Sequence, residues 1–326
     1  MPGSIMSAFG EPEDFDAALR AEGCRGLQIT GRGRFRARLT QIRLHVMRLS
    51  TTREELSRIA FVSVPADIVQ ISFPLTALPL PIFGGVAARS GEIITLGQGE
   101  QVYARTDGPS EMGTIWLSVK ELARYSSALI GCSLTVQPAV QRWLPPAQAA
   151  RRLRSLHAAA ARAATHNPQA VVDVEAARGL EQQLVHAIVE CLARGSVEPD
   201  TRSQCRHLEI MAYFEQLLHA QPRRIISMTE ICTALGVSQR LLRSLCAKHL
   251  AMGPVAYDRL RRMTLVRRAL RRGEGTAIGV AEMARRYGFS SPGRFAVSYR
   301  MAFGELPSAT MRRALETDSE VASGIA

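Results

Sequence analysis

One short signature occurs twice in this 326-residue chain and constrains its fold more than any other feature. A small residue is followed four positions later by Gly, then by an apolar residue and Ser. The first set is Cys232, Gly236, Val237 and Ser238; the second, 52 residues on, is Ala284, Gly288, Phe289 and Ser290. The small residue lets one short helix approach the next, Gly takes the left-handed conformation that ends a helix, and Ser caps the helix that follows. The product is a helix-turn-helix, whose second helix fits the major groove of duplex DNA. A single copy also closes many ordinary helical hairpins. Two copies with a basic helix between them are much harder to obtain by chance.

That intervening helix, Val255 to Arg272, restarts the chain after Gly253-Pro254. Tyr257, Leu260, Met263 or Thr264, Val266 or Arg267, and Leu270 fall near a 3.6-residue period. Arg259, Arg261, Arg262, Arg268, Arg271 and Arg272 are expected to cover much of the rest. Such a helix spans roughly 27 Å, and successive major-groove faces lie about 34 Å apart. One connecting helix can therefore hold two reading helices over one face of DNA.

Helical period then assigns the outward positions. Upstream, Ser227 with Glu230 forms a capping box for the helix that leads into the first turn. On the first reading helix, Ser238, Gln239, Arg240, Arg243, Ser244 and Lys248 face the DNA while Leu241, Leu242 and Leu245 face the core. Gln pairs with adenine and Arg with guanine through two hydrogen bonds each, although Arg240 and Arg243 serve equally well as phosphate clamps. On the second, Ser291, Arg294 and Ser298 face outward if Phe295 and Tyr299 face inward. Gly293 offers no side chain, so this half is expected to read fewer bases. Arg285, Arg286 and Arg300 suit phosphates.

The charge distribution agrees. Residues 202–313 carry 20 Lys and Arg against 7 Asp and Glu, whereas residues 1–201 carry 21 against 19. Nearly all of the excess behind the net charge of +12 lies on the segment with the doubled motif, as a footprint for a polyanion requires.

Two helix-turn-helices on a connecting helix, closed by the run GFSSPGRFAVSYRMAFGELPSA, resemble the DNA-binding domain of the AraC/XylS family of transcription regulators. The matching positions are Gly288, Phe289, Phe295, Tyr299, Phe303, Gly304 and Pro307, with Gly236, Ser238, Leu242 and Gly253-Pro254 in the first half. The likeness covers about a third of the chain. Two departures stand out: Pro292-Gly293 opens the second reading helix, and Cys232 stands where Ala is usual. The resemblance implies a cupin-like barrel ahead of this domain, helices that pair two subunits, and contact with RNA polymerase.

The residues upstream fit that architecture. From Leu27 to Val119, short apolar runs alternate with Gly, Pro and Asp turns, the pattern of a sandwich or small barrel. Apolar residues alternate with basic or polar ones over a long run, Phe35 to Leu49. Lys120–Ile130 reads as a helix, followed by an irregular stretch to Pro145-Pro146 and two long helices, 147–164 and 169–194. The fold class is thus α+β, an N-terminal β-rich barrel or sandwich with flanking helices and a C-terminal all-α domain. The expected divisions are a flexible 1–24, an effector-sensing and dimerisation domain 25–194 (barrel about 27–119, helices about 120–194), a linker 195–201, the DNA-binding domain 202–316 and a disordered tail 317–326.

Enzymatic classes find no support. No histidine lies between Val46 and Leu156, so a metal-binding cupin site has no ligands, and no nucleophile pair or phosphate loop appears. The six cysteines show no CxxC spacing and read as reduced, in a cytoplasmic protein without a cofactor or metal. The uncharged run Ile68 to Ala88 is long enough to span a bilayer but contains three Pro and two Gly, which make it a strand and loop. Phe73, Phe83, Tyr103 and Trp116 are the aromatics expected to line a barrel cavity, with Arg36, Arg38 or Arg43 as anion partners. The chain therefore reads as a dimeric, effector-responsive activator that binds double-stranded DNA. The alternative is a constitutive DNA-binding protein whose barrel only dimerises; a DNA-directed enzyme ranks behind both.

Overall fold

The computed structural model describes residues 2–323 apart from Leu78, 199–201 and 276–277. It divides into two compact units, one of residues up to 29 together with 35–209, the other of residues 30–34 with 210 onward. The first unit starts with β1 (Gly3–Phe9), α1 (Pro12–Leu19) and one 3-10 turn (Arg20–Glu22). Ten strands follow: β2 (Cys24–Ile29), β3 (Ala37–Arg43), β4 (Met47–Glu54), β5 (Arg58–Ser63), β6 (Ile68–Pro74), β7 (Ile82–Phe83), β8 (Val86–Ala87), β9 (Ile93–Leu96), β10 (Gln101–Thr106) and β11 (Ser110–Ser118). Helix α2 (Val119–Ile130), strand β12 (Val140–Leu144), helices α3 (Ala147–His166), α4 (Gln169–Val172) and α5 (Val174–Arg194), and strand β13 (Ser196–Glu198) complete the unit.

Two antiparallel sheets face each other. One runs β1-β3-β4-β11-β6-β9-β12-β13 and the other β2-β5-β10-β7-β8. Because side chains alternate along a strand, the large sheet has two distinct buried faces. Leu49, Val69, Ile71, Phe73, Ile115 and Leu117 pack against α3 and α5. Ile94, Leu96 and Met112 point the other way and meet Val62, Val102 and Ala104 of the small sheet. Both faces of β6 are buried although its sequence alternates, with Val69, Ile71 and Phe73 toward the helices and Gln70 and Ser72 toward the small sheet. His157 of α3 is buried at the helix-facing side, its Nε2 3.1 Å from the Ser50 carbonyl and its ring edge-on to Phe73. Burial lowers its pKa to about 4, so it is neutral at physiological pH.

Several sequence expectations need correction. Residues 1–24 are folded rather than flexible: β1 pairs with β3 from Gly3↔Arg43 to Phe9↔Ala37, and Phe9, Phe15 and Phe35 form a chain of ring contacts. The run 35–49 is two strands, because the chain turns at Leu44, whose N–H bonds the Met47 carbonyl at 2.9 Å. No Gly or Pro marks that turn, so alternation alone conceals it. The stretch before Pro145 contains β12, which pairs with β9 and is anchored by the Trp143 indole donating to Thr95 Oγ1 at 2.9 Å. Asp173 splits the helix expected at 169–194, since its carboxylate accepts from the Ala176 N–H at 2.8 Å and starts α5 anew.

The 195–201 segment is not a simple linker either. Its first half is β13, paired with β12, and residues 199–201 lie outside the described residues. Gly195 is there for close approach, since a Cβ would lie 2.5 Å from the Cys191 carbonyl oxygen. The division between units falls further on, after Glu209 inside α6 (Arg202–Ala220). The second unit continues with α7 (Met228–Leu235), α8 (Gln239–Leu250), α9 (Pro254–Arg271), α10 (Gly279–Arg286), α11 (Pro292–Phe303) and α12 (Pro307–Ser323). Helix α12 carries through most of the expected disordered tail, since elongating an anchored helix is cheap once it is nucleated; residues 324–326 lie outside the described residues.

Candidate nucleic-acid interface

The first helix-turn-helix is built by caps. Ser227 accepts from the Glu230 N–H, and the Glu230 carboxylate accepts from the Ser227 N–H at 2.8 Å, which closes the capping box and holds that carboxyl below its usual range. Helix α7 ends at Gly236 (φ +63°), and the Val237 N–H reaches back to the Cys232 carbonyl at 3.1 Å. Ser238 then starts α8 by accepting from the Leu241 N–H at 3.2 Å. Leu242, Leu245, Cys246 and Leu250 are buried. The opposite face presents Gln239, Arg240, Arg243, Ser244 and Lys248, all exposed.

Helix α9 holds both halves, and most of its arginines are spent doing so. Arg261 is buried, donating to the Leu218 carbonyl at 2.9 Å and pairing with Glu215 at 3.4 Å. Tyr257 also donates to Glu215, at 3.1 Å. Arg262 binds Asp258 at 2.9 Å and the Tyr287 carbonyl at 2.9 Å, and its guanidinium lies over the Phe289 ring. Burial raises the pKa of Asp258, and the two adjacent guanidinium groups oppose that rise. Arg267 pairs with Glu305 at 3.4 Å and lies over Phe303. Helical period places Arg261 and Arg262 off the apolar stripe; the structure buries them as clamps, because carbonyls of neighbouring helices and turns and the Glu215 and Asp258 carboxylates complete their shells.

The second helix-turn-helix repeats the backbone device. Gly288 (φ +82°) follows α10, and the Phe289 N–H bonds the Ala284 carbonyl at 3.0 Å, the counterpart of the Val237–Cys232 bond. Here Cβ would meet Ile225 at 2.7 Å and Arg262 at 2.9 Å, so Gly is required twice over. Phe289, Phe295, Tyr299 and Phe303 stack in sequence, with ring centroids 4.8, 5.5 and 4.6 Å apart. The Tyr299 hydroxyl meets Thr310 of α12 at 2.8 Å. Helix α11 starts at Pro292 without a side-chain cap from Ser291, and its outward face carries Arg294, Val297, Ser298 and Met301.

A helix-turn-helix domain family model matches residues 231–313, the segment that contains both turns. The "XylDLEGF operon transcriptional activator 1" of Pseudomonas putida is 39% identical over 98 residues, which is 30% of this chain and 30% of that protein. The doubled turn is thus a helix-turn-helix domain of the kind that the AraC/XylS resemblance implies. The "Probable thc operon regulatory protein" of Rhodococcus erythropolis is 30% identical over 154 residues, 41% of this chain and 46% of that one. The crystal structure of the AraC-like transcriptional activator CuxR is also similar, with a TM-score of 0.43 and 16% identity over 80% of this chain and 94% of that one. The chain thus spans less than half the length of the two operon regulators it matches.

Within this AraC/XylS-type domain the outward residues differ in how free they are. Ser238 uses its hydroxyl as a cap, whereas Gln239, Arg240, Arg243, Ser244 and Lys248 engage nothing among the described residues. Arg285 and Arg286 are exposed and share Glu282, at 3.0 and 3.6 Å. Surface pairs of this kind are weak enough to be exchanged for a phosphate. Ser291, Arg294 and Arg300 are exposed, but Ser298 is half-buried and accepts from Arg259 at 2.6 Å. Sequence reasoning passed over Val297 and Met301, which are 66% and 56% exposed on the face of Arg294. Helical spacing from Arg294, three and seven residues on, is the signal that places them there.

Of the four aromatics assigned to a barrel cavity, the structure brings only Phe83 and Trp116 to it. Phe73 and Tyr103 have the opposite strand parity: Phe73 packs on His157, and Tyr103 packs on Phe61 with centroids 5.0 Å apart. Arg36, Arg38 and Arg43 are exposed, away from the interior. Among the described residues no helix is long and apolar enough to cross a membrane, and no cluster of potential metal ligands occurs.

Proposed function

We propose that this protein is an effector-responsive, sequence-specific activator of transcription. It acts as a homodimer on double-stranded DNA in the cytoplasm and works together with RNA polymerase. The observation that carries the DNA reading is the pair of outward helices α8 and α11 fixed on α9, with Gln239, Arg240 and Arg243 free to engage base edges. The relatives named as operon regulators support the transcriptional role. A cavity between the two sheets supports the effector role.

The apolar stripes of α3 and α5 are already buried against the large sheet. Pairing therefore falls to another surface, and β1 offers one, at the edge of its sheet among the described residues, with Ile5 and Met6 exposed. Titration of the full chain against DNA from its own upstream region, with and without small metabolites, tests the whole reading. Specific binding that a metabolite strengthens or weakens is the expected result. Tight binding that no metabolite alters overturns the effector role, and no preference over random DNA at moderate salt overturns the central one.

A further inference from the structure

We propose that the interior of the β-rich unit binds a small ligand rich in O–H or N–H donors and lacking any anionic group. This deepens the effector reading and rests on it only for the consequence, not for the binding itself. The cavity lies between the two sheets and has a volume of about 70 Å³. Its distinguishing feature is polarity. Ser50, Ser72 and Thr114 stand side by side on β4, β6 and β11, in register Thr114↔Ser50 and Thr114↔Ser72, with Gln70 one step along opposite Trp116. Four hydrogen-bonding side chains on the inner face of a sheet are costly to bury unless each finds a partner.

One of the cavity's acceptors lacks a partner. The Gln70 amide donates to Ser72 Oγ at 3.1 Å, but its Oε1 is buried without a partner, and the residue is only 6% exposed. Glu22, carried over the cavity by the 3-10 turn, accepts from Gln41 at 2.6 Å through Oε1. Its Oε2 is likewise buried, at 8% residue exposure. Gln70 Oε1 is thus a buried acceptor without a partner. Glu22, whose pKa burial raises against the opposing pull of Gln41, Arg48 and Ser50, is a second polar group lining the same cavity. Both suit a ligand that donates.

The cations near the cavity are committed elsewhere. Arg58 lies against both oxygens of Glu54, at 3.1 and 2.9 Å, and reaches the Ala104 carbonyl at 3.4 Å. Arg48 donates to the Ala21 carbonyl at 3.3 Å and lies over the Trp116 ring. A carboxylate or phosphate entering here would meet the Glu22 carboxyl, while Arg58 and Arg48, the nearby guanidinium groups among the described residues, already have partners, an arrangement that disfavours anions. Met112, Phe83, Ala60 and Ala104 supply an apolar wall opposite the polar ring. A cavity of roughly 150 Å³ holds benzene, so this one suits a compact ligand of about half that size.

The test uses three probes on one carbon skeleton: propane-1,2-diol, 1-aminopropan-2-ol and lactate. Each is titrated into the full-length protein without DNA and followed by the fluorescence of Trp116, with Trp116→Phe identifying the signal against Trp143. The expected result is saturable binding of the diol or the amino alcohol, about tenfold or more tighter than lactate, one to two hydrogen bonds' worth. Which of the two binds better tells a hydroxyl ligand from an ammonium one. Gln70→Leu is expected to weaken binding by about tenfold with the thermal midpoint retained. Should that variant fail to fold, Glu22→Gln serves instead, keeping an acceptor while reducing any preference for the amino alcohol over the diol. Lactate binding as tightly as the others, no binding of any probe, or a folded Gln70→Leu with unchanged affinity overturns the proposal. Binding that leaves DNA affinity unchanged counts against the effector role alone.

Discussion

The two helix-turn-helices share a backbone and differ in almost everything the backbone displays. Both turns use a left-handed glycine and the same reverse bond, from Val237 to Cys232 and from Phe289 to Ala284. In the first half, a capping box and a serine cap hold the helices, and α8 offers free polar groups. In the second, an aromatic stack and the buried Arg262 clamp hold them. Its outward face is largely occupied, by Glu282 on Arg285 and Arg286 and by Arg259 on Ser298, or apolar at Val297 and Met301. A duplicated scaffold has thus been kept for its geometry, while its two faces suit different contacts: hydrogen-bond readout from α8, and phosphate and methyl contacts from α11.

The largest expected effect tests the clamp. Asp258→Ala leaves Arg262 buried beside no carboxylate and should cost about 3–5 kcal/mol in chemical denaturation. Glu215→Ala does the same to Arg261 in the first half. If one variant melts only its own half, the halves are energetically separate; a single shared transition shows that α9 couples them. Next come the turn glycines. Gly236→Ala meets open space and should cost only the left-handed strain, about 1–2 kcal/mol. Gly288→Ala adds the collisions with Ile225 and Arg262 and should cost at least about 1 kcal/mol more. Equal costs would break the claimed difference.

Smaller effects concern DNA. Arg243→Ala should weaken specific binding by about 1–3 kcal/mol and relax base preference at one position, read by competition between operator variants. Arg300→Ala should weaken binding to all sequences alike and lower the salt slope by about 1. If Arg243→Ala behaves like Arg300→Ala, α8 is a phosphate clamp and the contrast between the helices fails. The smallest effect is expected for Val297→Ala, about 0.5–1 kcal/mol, since it removes methyl groups suited to a thymine methyl. Replacing thymine by uracil under α11 should reproduce that loss and leave Val297→Ala with no further effect.

What the sequence made legible follows from how local each signal is. Turn glycines, serine caps and outward positions such as Gln239 and Arg243 depend on neighbours within a turn or two, and helical period suffices to place them. The roles of Arg261, Arg262 and Arg267 depend on the Leu218 and Tyr287 carbonyls and on Glu305, partners 25 to 43 residues away. Periodicity offers Arg267 only as an alternative to Val266 on the apolar face, and it reveals nothing of the burial of Arg261 and Arg262. In the β-rich unit the same limit acts through parity. Gln70 and Ser72 read as the solvent face of β6 and line a cavity instead, while Phe73 turns toward α3, because both faces of that sheet are covered. Strands β12 and β13 were hidden by proline, glycine and short length; only their pairing with each other and with β9 defines them.

A base-by-base substitution scan of a bound upstream site, measured with the full-length protein at fixed salt, tests the unequal two-helix account most directly. The account predicts two clusters of sensitive base pairs about one helical turn, roughly 10 base pairs, apart. The cluster under α8 should answer to changes of hydrogen-bonding groups and the one under α11 mainly to loss of thymine methyls. A single cluster, or two that respond alike, would contradict it.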